Sequence, residues 1–369
     1  MAYDQFSESA LWDLYREAER LYKEGDYGAA EPLFRRTAQG REALLGTDHP
    51  DTLWSKFHLG RTLQFLERYS EAAKFLRESA EGRQRTLGER HSDTLWSKYW
   101  LAEAAFSQEN YSEAERLYRE TAEARARSLG AENPDTLWSQ YHQGQALLHM
   151  RRDAEAETVL RRSLQGREKV FGAGHSHTLW NRYWLAEALF NQGKYAEAED
   201  LYRQTAQGRA SLLGDNHPDT LWSRYWLGRA LKYQGRYDAA AEELRATFEG
   251  QEKALGLDHP ATLWSKYWLA ETLYNQGNFG KAETLFRQTL VTRERLLGRE
   301  HSDTLLCKNW VDQLELLKTI LGWAGNYGQA RIGSLTKDTR ASARVVEPEM
   351  GHRTGANEVG TIRTSYLPT

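Results

Sequence analysis

The sequence predicts an all-α solenoid of stacked helix pairs, and three observations predict it. Trp12, Trp54, Trp96, Trp138, Trp180, Trp222 and Trp264 stand 42 residues apart. Gly46, Gly88, Gly130, Gly172, Gly214, Gly256 and Gly298 keep that spacing, as does Thr-Leu from Thr52-Leu53 to Thr304-Leu305. Within each period two stretches place apolar residues at helical spacing, separated by turn residues. Such a unit cannot bury its apolar stripes alone, so each pair stacks on the next.

The elements follow in order. Residues 1–9 are an N-terminal extension. Seven units follow at 10–51, 52–93, 94–135, 136–177, 178–219, 220–261 and 262–303. In the fifth, helix A is predicted from about Thr178 to Gln192, carrying Leu179, Leu185, Ala186 and Leu189 inward. Gln192-Gly193-Lys194 is a tight turn in which Gly193 adopts a left-handed conformation. Helix B runs from Tyr195 to about Leu213, with Ala198, Leu201, Tyr202 and Leu212 at helical spacing, and Gly214 closes it. His217-Pro218-Asp219 then stops one unit and starts the next, with Asp219 expected as the N-cap. Residues 304–332 read as a degenerate capping unit: an eighth helix A to about Leu321, then a faded helix B around Gly325-Asn326-Tyr327. Residues 333–369, rich in Ser, Thr, Gly and Arg without periodicity, are expected to be a disordered tail.

Leu185-Ala186, Leu189, Gly193, Tyr195, Ala198 and Tyr202 resemble the tetratricopeptide repeat (TPR). The leading Leu45-Gly46-Thr47-Asp48-His49-Pro50-Asp51-Thr52-Leu53, repeated from Leu213 to Leu221, is similar to the 42-residue kinesin-light-chain type. The resemblance implies a right-handed superhelical solenoid of about seven antiparallel helix pairs plus the degenerate eighth. It also implies a concave face lined by A helices that grips peptides. It does not imply a kinesin subunit, since no heptad segment for a heavy chain is present.

Composition narrows the function. The net charge is −3 with a pI near 6.4, so no basic field marks a nucleic-acid or anionic-membrane binder. One cysteine, Cys307, excludes a disulfide framework and suits a reducing cytoplasmic setting. The N-terminus lacks the apolar run of a signal peptide, and no run approaches bilayer length. Thirteen Trp and nineteen Tyr in a chain of mean hydropathy −0.76 are the anomaly to pursue.

Advancing helix A by about 100° per residue from Leu179 as position 1 puts positions 1, 4, 5, 8, 11 and 12 on a core arc. Positions 2, 6, 9 and 13 form a second stripe. Position 2 is the ruler tryptophan. Position 6 reads His58, Trp100, His142, Trp184, Trp226, Trp268 and Trp310 in order. Position 9 alternates Glu103, Glu187 and Glu271 with Arg61, Gln145 and Arg229. The related repeats commonly carry Asn at position 6 to bond a peptide backbone; here Trp or His stands there, so that clamp is not expected.

The candidate groove is therefore Trp54, Trp96, Trp100, Trp138, Trp180, Trp184, Trp222, Trp226, Trp264, Trp268 and Trp310 with Arg61, Glu103, Glu187, Arg229 and Glu271. Indole faces suit peptide side chains, prolines, cations or a small planar molecule. The alternative is an aromatic spine that only cements neighbouring repeats. The Glu and Arg at position 9 are read either as inter-repeat ion pairs or as readers of polar ligand atoms.

Position 8 alternates too, Ala18, Ala102, Ala186 and Ala270 against Gly60, Gly144 and Gly228, so the deeper unit is an 84-residue pair of repeats. Arg151 and Asp153 replace Gly and Tyr in the fourth turn, a candidate hinge. The recurring loop histidines (His49, His91, His175, His217, His259, His301) are too scattered to share a metal, and neither metal nor cofactor is expected. Two functions compete: a scaffold for a protein or peptide, and a cyclase-type enzyme whose aromatic chamber uses Glu103, Glu187 or Glu271 as acid and base. The sequence leaves the oligomeric state open.

Overall fold

A computed structural model describes residues 7–320. Residues 1–6 and 321–369, which include most of the expected N-terminal extension, the end of the capping unit and the tail, lie outside the described residues. The described chain is fifteen α-helices without strands: α1(Glu8–Glu24), α2(Tyr27–Leu45), α3(Pro50–Phe65), α4(Tyr69–Leu87), α5(Ser92–Ser107), α6(Tyr111–Leu129), α7(Pro134–His149), α8(Asp153–Phe171), α9(Ser176–Asn191), α10(Tyr195–Leu213), α11(Pro218–Tyr233), α12(Tyr237–Leu255), α13(Pro260–Asn275), α14(Phe279–Leu297) and α15(Ser302–Ile320). Odd-numbered helices are A helices and even-numbered ones are B helices. Residues up to Ala188 form one compact unit and those from Leu189 a second, the division falling inside α9.

The loop histidines explain where A helices begin. Asp219 is not the cap; His217 is, its Nδ1 accepting the Asp219 N–H at 3.2 Å, with Pro218 in the first turn. His49, His91, His175, His259 and His301 accept in the same way from the residue two further on. Asn133 substitutes its Oδ1 in the fourth repeat (2.9 Å). An unprotonated imidazole nitrogen thus satisfies one orphan helix N–H. Asp51, Asp93, Asp135 and Asp219, two residues after the cap, then lie in the first turn, where the helix dipole favours them.

B helices end as expected at glycines with φ near +90°, Gly214 among them at +96°. The fourth turn is not singular. Arg151 takes φ +58°, but Glu67 and Glu109 take +58° and +61° in the second and third repeats. Asp153 also starts α8 at the register where Tyr111 starts α6.

The 84-residue period is a packing code. Gly60, Gly144 and Gly228 face Leu76, Leu160 and Leu244, and a Cβ on these glycines would fall within 2.6 Å of the leucine Cγ atoms. The alternate repeats carry Ala18, Ala102, Ala186 and Ala270 on the A helix and Phe34, Tyr118, Tyr202 and Phe286 on the B helix, all fully buried. The next A helix completes the code. His58, His142, Trp226 and Trp310 stack flat on those four rings at 5.3–6.0 Å with interplanar angles of 5–26°. Tyr27, Tyr111 and Tyr195 stack likewise on Phe65, His149 and Tyr233 of the following A helix.

Candidate functional site

Five of the ruler tryptophans are lids on buried arginines. Arg125 of α6 is 1% exposed and its guanidinium lies 4.4 Å from the Trp96 ring of α5. Its Nη1 donates to the Asp135 carbonyl (3.1 Å) and to Ser139 Oγ (2.9 Å), both on α7. One side chain thereby ties three consecutive helices. Arg41 on Trp12, Arg83 on Trp54, Arg167 on Trp138 and Arg293 on Trp264 repeat the contact at 4.4–4.9 Å. The ring at helix position 5 (Tyr15, Phe57, Tyr99, Tyr141, Tyr267) supplies a second wall at 4.4–5.5 Å. Indole quadrupole and guanidinium charge attract strongly once water is excluded. Burial pushes Arg83 down to about 10, so it stays charged at neutral pH.

The sixth repeat breaks the pattern. Gln251 occupies the arginine position, and its Oε1 is buried without a partner, as is Ser265 Oγ, which corresponds to Ser139. Trp222 there lies flat on Tyr225 (5.1 Å, 11°), whereas Trp96, Trp138, Trp180 and Trp264 meet their tyrosines edge-on at 74–85°. Without the cation, the indole tilts onto its neighbour.

The second faces of the ruler indoles differ in access. Trp12 is 44% exposed, Trp54, Trp96, Trp138, Trp180 and Trp222 are half-buried, and Trp264 is 2% exposed. The Trp54 indole also donates to the Tyr15 hydroxyl at 2.6 Å. At position 6 the tryptophans divide by burial. Trp100, Trp184 and Trp268 are buried, because leucine rather than an aromatic ring stands at the preceding B helix and leaves room for the indole. Trp226 and Trp310, resting on Tyr202 and Phe286, are half-buried.

Position 9 is absorbed largely by packing. Arg61 lies between Tyr22 (5.2 Å) and Trp100 (4.6 Å). Arg229, itself buried, lies between Trp226 (4.2 Å) and Trp268 (4.4 Å). Glu103 is buried, accepts from the Tyr118 hydroxyl at 2.5 Å and lies 3.5 Å from His142 Nδ1. Burial holds the His142 ring below its ordinary range. Glu271 pairs with Lys232, whose Nζ lies 4.4 Å from the Trp268 ring. Glu187 is half-buried on α9. These glutamates stand on every second A helix, α5, α9 and α13.

Sequence reasoning missed the arginines. Arg41, Arg83, Arg125, Arg167, Arg209 and Arg293 keep the same 42-residue period as the tryptophans, and that period was the available signal. A charged residue on a B helix reads as solvent-facing unless its aromatic lids are recognised. Among the described residues no group of three His, Cys, Asp or Glu could hold a metal, and no helix is long and apolar enough to cross a membrane.

Comparison with known proteins accords with this architecture. The tetratricopeptide repeat family model matches residues 13–85, 93–169, 175–253 and 225–290. A crystal structure of a Podosopora anserina protein assigned to kinesin light chains, with nearly identical TPR-like repeats, is 28% identical over 56% of this chain and 98% of that one (TM-score 0.51). A tetratricopeptide repeat protein from Parabacteroides merdae is 14% identical, covering 83% of this chain and 99% of its own (TM-score 0.53). A signal-transduction ATPase with a tetratricopeptide repeat sensor from Pyrococcus horikoshii is 14% identical over 84% of this chain and 44% of that one (TM-score 0.58). The last two share the fold alone. No curated protein sequence matches significantly. The chain is an all-α repeat solenoid and belongs to the tetratricopeptide repeat family.

Proposed function

We propose that this protein is a binding scaffold that holds a peptide segment of a partner protein against the ruler tryptophans of its A helices. The observation that carries the reading is the half-exposed indole with one face fixed on a buried guanidinium, repeated at Trp54, Trp96 and Trp138. A ring already immobilised loses little entropy on contact, and regularly spaced rigid aromatics suit an extended ligand. Solenoids generally use such extended surfaces for recognition. The contact set is accordingly Trp12, Trp54, Trp96 and Trp138, with the buried Trp100 supporting it. The single cysteine, buried at Cys307, supports an intracellular location.

The test uses displayed random peptides of about 12 residues, selected on the full chain. Affinities are then compared with a Trp54/Trp96/Trp138→Phe variant, which keeps a ring over each arginine and removes the outer indole edge. Selected peptides should lose about tenfold or more in affinity, some 1.4 kcal/mol, while the circular dichroism spectrum is unchanged. Equal affinity in the folded variant refutes the reading.

A further inference from the structure

A second recognition surface lies on the B helices. A groove of about 800 Å³ opens between α12 and α14 beside the end of α13. Leu269 and Leu273 are buried beneath it, Leu285 and Phe248 are half-buried on its walls, and Arg245 and Lys281 are exposed along it.

Two departures from the repeat mark this groove. Between α2 and α4, and between α4 and α6, an ion pair straps the corresponding seam: Arg35 with Glu71 at 3.1 Å, and Arg77 with Glu113 at 2.9 Å. At the same 36-residue offset Arg245 meets Lys281, a like charge. Among the described residues neither cation has an ion-pair partner, so the strap is missing. The second departure is Phe248, which stands where four other repeats have Ala38, Ala80, Ala122 and Ala206 and two have Leu164 and Leu290, and presents a phenyl ring to the opening. Glu249 also lines the groove, leaving an excess of one positive charge.

We propose that this groove docks a short acidic, amphipathic segment of a partner protein. Its bulky apolar side chains would enter between Phe248, Leu273 and Leu285, and its carboxylates would bridge Arg245 and Lys281 as Glu71 and Glu113 bridge their arginines. Charge complementarity selects this occupant. The chain's own residues 321–369 carry six Lys and Arg against four Asp and Glu, the wrong sign for a cationic groove. The surface is separate from the ruler tryptophans and does not depend on their use.

The test is fluorescence anisotropy with two labelled helical peptides of about 14 residues. Both carry leucine at i, i+4 spacing; one is flanked by glutamate and the other by lysine. The proteins are the full chain, Lys281→Glu, which recreates the repeat's own ion pair, Phe248→Ala, which recreates its alanine, and Trp54/Trp96/Trp138→Phe. The acidic peptide should bind at least tenfold more tightly than the basic one. Lys281→Glu and Phe248→Ala should each weaken it about tenfold without lowering the melting temperature, and the tryptophan variant should bind like wild type. Equal binding of both peptides, no binding of the acidic peptide at about 1 mM, or indifference to Lys281→Glu overturns the proposal. A concentration-dependent dimer abolished by Lys281→Glu would assign the groove to a second copy and overturn it equally.

Discussion

Gln251→Arg should stabilise the sixth repeat, because every other part of an arginine site is already there. The wild-type side chain leaves two buried polar atoms without partners, Gln251 Oε1 and Ser265 Oγ. Arginine removes the first and, by the geometry of Arg125, donates to Ser265 Oγ and to the Ala261 carbonyl. Removing the stranded oxygen is worth about 2 kcal/mol and the charge-assisted hydrogen bonds about 2 kcal/mol. The contact with Trp222 adds about 2 kcal/mol. Against this stand about 4 kcal/mol to dehydrate the guanidinium and about 1 kcal/mol for the lost Trp222–Tyr225 stack. The balance is a gain of about 1 kcal/mol, a factor of about five in local opening. A repeat array opens locally, so the assay is native-state hydrogen exchange on α11, α12 and α13 amides. Slower exchange in Gln251→Arg, with Gln251→Leu gaining less, is the expected result. Faster or unchanged exchange, or an equal gain with leucine, refutes the arginine-clamp reasoning.

Further outcomes follow from the same packing. Arg125→Lys retains charge but not the planar fork that reaches Asp135 and Ser139 beneath Trp96, so urea unfolding should show a loss of about 2–3 kcal/mol. Gly144→Ala would gain about 1 kcal/mol of helix propensity, but its Cβ would lie 2.5 Å from the Leu160 Cγ. Overpacking of about 1–3 kcal/mol should dominate, and the loss should shrink in a Leu160→Ala background. His58 is buried among five aromatic rings, and desolvation holds it well below its ordinary 6.5, so it is neutral when folded and protonated when unfolded in mild acid. Stability should therefore fall as pH drops below about 6.5, by up to about 1.4 kcal/mol per pH unit for this group, and His58→Phe should flatten the slope measured between pH 6.5 and 5. Burial pushes the Cys307 thiol up to about 11, and five repeats carry serine at its position. It should resist thiol reagents until the chain unfolds, and Cys307→Ser should leave the melting temperature within a few degrees.

Much of the fold was legible because the repeat enforces it. Gly214, Gly193 and the Tyr195–Leu213 helix follow from local chemistry that every repeat shares. Asp219 was misplaced because Asp is an ordinary cap, whereas the histidine two residues earlier caps through a ring nitrogen that spacing alone does not reveal. Positions 2, 6, 9 and 13 share one helical register, but burial along it depends on the facing B helix. Trp100 is buried over a leucine site and Trp226 is not buried over Tyr202, a distinction set by residues more than twenty positions away. Arg125 illustrates the same limit. A helical wheel gives its direction, but only the assembled α5, α6 and α7 show that the charge is covered.

The most direct test of the central claim is a ¹⁹F spectrum of the chain labelled with 5-fluorotryptophan, assigned by single Trp→Phe variants and titrated with a peptide selected on the wild type. The Trp54, Trp96 and Trp138 resonances should shift and saturate together at the peptide's dissociation constant, while those of the buried Trp100, Trp264 and Trp268 stay in place. Saturating binding that leaves all three ruler resonances unmoved would contradict the claim.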